Sequence, residues 1–175
     1  LGTLTALVNN AGVVDAALPL AEMSAARIER MFRINVTGSL LCAREAVRRM
    51  ATSRGGKGGG IVNVSSVAAK LGGPGQYLDY AASKGAIDSF TVGLAKEVID
   101  EGIRVGAVRP GIIDTDIHAS GGQPDRVAEL SPGLPMRRAG TAEEVAKAIL
   151  WLLSDEASYS TGAIIDVSGA RSILP

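Results

Sequence analysis

Short apolar, β-branched runs at residues 4–8, 61–64, 104–108 and 163–167 alternate with longer segments of helical periodicity. That alternation restricts the fold more than any other feature of the chain. A strand that rejoins its sheet through a helix lies parallel to its predecessor, so the pattern predicts an open parallel α/β sheet covered by helices. One helix is predicted from Ser24, a potential N-cap, to about residue 51, with a bend at residues 35–38. A second covers residues 80–101 and is ended by Gly102. A last one opens at Thr141-Ala142-Glu143-Glu144, a capping box, and runs through Trp151 and Leu153. Residues 111–140 read as a long irregular loop with one short helix near 125–130, and loops of that length in compact domains usually serve a site. Ligands of open parallel sheets sit outside the carboxyl ends of the strands. The positions of interest are therefore residues 9–12, Ser65-Ser66, 110–115 and 168–169.

Composition narrows the classes of function. The 175 residues suffice for a single domain, and 18 Lys+Arg balance 18 Asp+Glu. No basic run exceeds Arg48-Arg49 or Arg137-Arg138, which argues against a nucleic-acid partner. No stretch approaches the ~18 apolar residues of a membrane span. Cys42 is the sole cysteine, so no disulfide framework and no metal site are predicted, and a reducing, cytoplasmic setting is expected. The cluster Gly55-Gly56-Lys57-Gly58-Gly59-Gly60 precedes a strand and lacks a Gly-x-Gly-x-x-Gly register; it reads as a flexible surface loop rather than a phosphate cradle.

Tyr80 and Lys84 are four residues apart at the start of a helix and therefore share a face. An ammonium near a phenol favours the phenolate, so the pair is expected to draw the Tyr80 pKa down from about 10 toward neutrality, as a general acid/base requires. Ser65-Ser66 follows a strand and presents one hydroxyl at the sheet edge, although such a pair also caps strand ends. Asn35 interrupts a helical pattern, and His118, the only histidine, reads as a solvated loop residue.

Five segments, Asn9-Asn10-Ala11-Gly12, Asn35-Val36-Thr37-Gly38, Val64-Ser65-Ser66, Tyr80-Ala81-Ala82-Ser83-Lys84 and Pro110-Gly111-Ile112-Ile113-Asp114-Thr115, together resemble the ordered motifs of the short-chain dehydrogenase/reductase family. The resemblance implies a Rossmann-like, doubly wound, three-layer parallel sheet and an NAD- or NADP-dependent oxidoreductase that interconverts an alcohol and a ketone. It implies Tyr80 as acid/base, Lys84 as its tuner and ribose binder, Ser66 as the carbonyl-orienting hydroxyl and Asn35 as the anchor of a relay water. Ser65 stays a candidate because the interval from Ser66 to Tyr80 is one residue longer than in many members. Cofactor contacts carried over are Asn10, Ala11, Gly12, Tyr80, Lys84, Pro110, Gly111, Ile113 and Thr115. Residues 112–140 would form the substrate loop, and the helices from Ser24 and Tyr80 would pack subunits into a homo-tetramer or dimer. A small-molecule alcohol or carbonyl compound is the expected partner.

The chain departs from the family in one respect. The phosphate-binding glycine motif between the family's first strand and first helix has no counterpart, and residues 4–8 match the family's fourth strand. Residues 1–175 are thus expected to be the C-terminal part of a Rossmann-type catalytic domain, with Leu1 an internal position and roughly 25–30 residues missing per absent βα unit. Alternatively the chain is a truncated, catalytically inactive fold or assembly module that retains the motif residues. The run at residues 4–8 would then be an exposed, aggregation-prone edge. On either reading the 175 residues alone are expected to bind cofactor weakly.

Overall fold

The computed structural model describes residues 2–173; Leu1, and with it the expectation of an internal start, lies outside the described residues. Four strands, β1 (Ala6–Asn9), β2 (Gly59–Val64), β3 (Ile103–Pro110) and β4 (Ile164–Val167), form one parallel sheet in that spatial order. The predicted α/β architecture is present. β2 is almost wholly buried, as expected of a strand covered on both faces. Side chains alternate between the two layers, so neighbours in sequence enter different cores. Ile61 packs with Met50, Val98, Ile103 and Val105 under α2 (Ser39–Met50) and α4 (Leu78–Glu97). Val62 packs with Val108, Val145 and Leu152 under α7 (Ala142–Leu153). β1 lies at the sheet edge, with Leu4 and Val8 exposed.

The helix expected from Ser24 is divided. Ser24 caps α1 (Ala25–Phe32) by accepting from the Arg27 amide, and a π turn, Arg33–Gly38, separates α1 from α2. The widened turn falls where the bend was predicted and contains Asn35; the Ser39 hydroxyl donates to the Asn35 carbonyl across it. The second helix begins two residues earlier than expected and gives way at Val98 to a 3₁₀ turn, Ile99–Glu101, ending at Gly102 with φ +69°. This change of pitch buries Val98 in the core. Short helices α3 (Ala68–Leu71) and α5 (Ile117–Ser120) were not anticipated, whereas α6 (Arg126–Leu130) was.

The glycine cluster is no flexible loop at its second half. Gly58 is buried at φ +73°, and a Cβ there would lie 2.3 Å from the Gly102 carbonyl oxygen; one at Gly59 would lie 2.2 Å from that of Thr5. The backbones meet too closely for any side chain. The Thr141 capping box is formed, with the Thr141 hydroxyl accepting from the Glu144 amide and the Glu144 carboxylate accepting from the Thr141 amide. Thr141→Ala is expected to cost about 1 kcal/mol in urea unfolding, a loss that Thr141→Ser largely restores.

Candidate active site

The carboxyl ends of β1, β2 and β3 open into a cavity of about 380 Å³, closed on its other side by residues of the 112–140 segment and α7. Tyr80, Lys84 and both serines reach it, as do Asn10, Gly12, Pro110, Gly111, Ile113 and Thr115. Ala11 is exposed and outside the lining, and Asn35 lies beneath it. Ile113 divides its role: the side chain enters the core with Val62 and Val108, while its carbonyl meets the His118 ring 3.0 Å away.

Tyr80 and Lys84 stand one turn apart on α4, with the ammonium 5.7 Å from the centroid of the phenol ring. The expected depression of the Tyr80 pKa is not found. Burial raises it, and the Ser66 hydroxyl beside it offsets the rise only in part. The reason is where the Lys84 charge goes: Nζ donates to the Val64 carbonyl at 2.8 Å, below the ring rather than at the phenolic oxygen. Burial also brings Lys84 itself down to about 8, against the pull of Asp88 one turn further along the helix.

That shift has a stability consequence. Between pH 8 and the ordinary lysine value of 10.5 the unfolded chain holds the Lys84 proton and the fold does not. Stability from this group therefore rises with pH across that window, by up to roughly 3 kcal/mol, while below pH 8 the full cost of the buried charge remains. Urea titrations of the wild type and Lys84→Met across the window are expected to show the rise in the wild type alone.

The two serines take different partners. Ser65 donates to the Lys84 backbone carbonyl at 3.1 Å and ties β2 to α4. Ser66 Oγ accepts from the Ala68 amide at 3.1 Å, which leaves its hydrogen available to the cavity. Asn35, 1% exposed, uses its amide structurally: Oδ1 accepts from the Val13 amide at 2.8 Å and Nδ2 donates to the Val13 carbonyl at 2.9 Å and to Ser83 Oγ at 3.1 Å. It thereby fixes the chain that leaves β1. A Cβ on Gly12 would sit in van der Waals contact, at 3.4 Å, with both Asn35 Oδ1 and Lys84 Nζ, and glycine keeps this corner open.

Several side-chain roles were not legible in the sequence. Asn9 donates to Asn63 Oδ1 at 2.8 Å, Asn63 donates to Thr91 Oγ1 at 2.9 Å, and Thr91 donates to the Ile87 carbonyl at 2.8 Å. This buried polar chain joins β1, β2 and α4 directly behind the site, and only the identical register of two asparagines at strand ends hints at it. Asp79 accepts from the Tyr80 amide and from Arg27 Nε at 2.8 Å. An acidic residue in the first turn of a helix was the available signal. His118 is half-buried, not solvated, and burial lowers its pKa. Arg126 and Arg171 also line the cavity.

The parallel sheet with helices on both faces defines a Rossmann-like fold, and comparison with known proteins agrees. A family model described as enoyl-(acyl carrier protein) reductase matches residues 1–170. The uncharacterized oxidoreductase YgfF of Escherichia coli is 59% identical over 96% of the chain, which covers 68% of that protein. Glucose 1-dehydrogenase 2 of Bacillus subtilis is 37% identical over 99% of the chain, covering 66% of its own length. The solved structure of ElxO with NADP bound superposes with a TM-score of 0.84 at 32% identity, over 95% of this chain and 66% of that one. The chain belongs to the short-chain dehydrogenase/reductase family. It spans about two thirds of the length of these relatives.

Proposed function

We propose that the full-length protein is an NAD- or NADP-dependent oxidoreductase that interconverts a secondary alcohol and a ketone, with Tyr80 as the acid/base. The observation that carries this reading is the meeting of the Tyr80 phenol, the Ser66 hydroxyl and the Lys84 ammonium at one cavity on the sheet's carboxyl edge. The relatives' names and the bound NADP of ElxO support it.

The residues present fit such a cofactor, with Asn10, Ala11 and Gly12 on the side of its adenosine part and Pro110, Gly111, Ile113 and Thr115 at the nicotinamide. Gly12 leaves its corner open between Asn35 and Lys84, and Gly111 packs so tightly that a Cβ would lie 2.9 Å from Ser168 Cα. Asn10, Gly12, Pro110, Gly111, Ile113 and Thr115 would hold the group, with Ala11 contributing backbone alone; bound there, it supplies or accepts hydride at the carbinol carbon. Tyr80 moves the proton of the substrate hydroxyl. With its pKa held up, it carries that proton at neutral pH and serves directly as the acid in the reducing direction. The free hydrogen of Ser66 donates to the substrate oxygen as negative charge develops there. Lys84 places a cation by the phenol ring and beside Gly12, where it would bind a ribose hydroxyl, and Asn35 holds the β1 exit that frames the pocket.

Residues 112–140 form the substrate-binding segment on this reading, and the exposed Leu40, Leu41 and Val92 on α2 and α4 supply the face of a cytoplasmic homo-oligomer. The 175 residues alone would bind cofactor weakly. The test is transfer of deuterium from the reduced, labelled nicotinamide to the carbinol carbon of a ketone substrate by the full-length protein. A protein acting only as a fold or assembly module transfers none with any ketone.

A further inference from the structure

The charged side chains that line the cavity are all of one sign. Lys84, Arg126 and Arg171 reach it, and no Asp or Glu among the described residues does. Elsewhere buried or half-buried arginines meet carboxylates: Arg27 with Asp79, and Arg109 with Asp88 and Asp166. Arg126 instead donates to neutral oxygens, to Gln123 Oε1 at 2.5 Å, to the Tyr77 hydroxyl at 3.2 Å and to Gln76 Oε1 at 3.4 Å, and lies 5.1 Å from the Tyr77 ring centroid. Arg171 Nη1 is buried with no hydrogen-bond partner among the described residues. Burial and the neighbouring Arg126 both depress the Arg171 pKa. A half-buried guanidinium with one nitrogen buried and unpaired among the described residues, and a second guanidinium nearby, is an unfavourable arrangement unless a ligand brings negative charge.

Topology sets this pair apart from the contacts that follow β1, though not from Gly111, which packs against Ser168. Arg171 follows β4 and Asn10 follows β1, the two opposite edges of the sheet, and Arg126 belongs to α6 in the 112–140 segment. We propose that the substrate carries a carboxylate, held by Arg171 with Arg126 beside it, while its carbonyl or hydroxyl faces Tyr80 and Ser66. The proposal rests on the oxidoreductase reading and adds the substrate class, an oxo acid and its hydroxy acid. The planar guanidinium fork of Arg171 matches a carboxylate in two parallel hydrogen bonds, and the apolar walls from Val67, Leu71 and Ile149 suit a short carbon chain between the two polar ends.

The test titrates the full-length protein, in the presence of NADP, with 3-oxobutanoate, 4-oxopentanoate and 5-oxohexanoate and with the methyl ester of each, by calorimetry. At least one acid is expected to bind about tenfold more tightly than its ester, a preference that added salt weakens. Arg171→Met should bring the acid-to-ester ratio to about one, and Arg171→Lys should restore part of it. Equal binding of every acid and its ester, no binding of any acid, or an undiminished preference in Arg171→Met overturns the proposal. So does a loss of NADP affinity in Arg171→Met with the acid preference intact, which would assign the arginine to a cofactor phosphate. Turnover of ketones without acid preference sinks the carboxylate proposal alone, whereas acid preference without any hydride transfer sinks the oxidoreductase reading alone.

Discussion

Tyr80→Phe in the full-length protein is expected to lower kcat by about 10²–10⁴-fold while leaving cofactor affinity within about twofold of the wild type. The substitution removes a single oxygen from a ring already held by α4, so packing is preserved. Ser66 keeps its bond from the Ala68 amide and Lys84 keeps its bond to the Val64 carbonyl. What is lost is the proton carrier at the substrate oxygen. Steady-state rates with a ketone substrate and calorimetric titration of the cofactor measure the two effects separately. Turnover at the wild-type rate would assign the acid elsewhere, with Ser66 and His118 the next groups to replace.

Asp79→Ala is expected to destabilise the fold by about 3–5 kcal/mol, a fall in Tm on the order of 10 °C. The Asp79 side chain is 1% exposed and that of its partner Arg27 11% exposed, so water does not take over the vacated charge. Arg27 also donates to the Ala16 carbonyl at 2.7 Å, and Asp79 accepts from the Tyr80 amide at 2.9 Å. The pair therefore clamps α1 and the chain before it onto the turn of α4 that carries Tyr80. Asp79→Asn, which keeps an acceptor for the Tyr80 amide but loses the charge, should fall between the wild type and Asp79→Ala. Chemical unfolding curves decide, and a loss below about 1 kcal/mol would show the pair to be screened as a surface bridge is.

Elements whose marks are local were readable in the chain before folding. The capping box at Thr141 and the turn at Gly102 depend on hydrogen bonds and dihedral angles within a few residues, so their residue types report them directly. The break at Asn35 was visible as a poor helix former inside a helical pattern, but its form, a π turn with the amide spent on Val13, depends on a segment 22 residues away. The glycine cluster misled for the same reason. Gly58 and Gly59 look like loop punctuation, and what requires glycine there is the close approach of Gly102 and Thr5.

The sequence by itself determined the parallel α/β order, the family and the nomination of Tyr80, Lys84 and Ser66, because strand and helix periodicities and motif spacings are properties of neighbouring residues. Only the tertiary structure decided the electrostatics of the site. A pKa depends on burial and on where a neighbouring charge points, and Lys84 points to the Val64 carbonyl, so the Tyr80 value rises where spacing alone predicted a fall. The pairing of Arg126 with Arg171, 45 positions apart and without a carboxylate between them, likewise exists only once β4 and the 112–140 segment are folded against the same cavity.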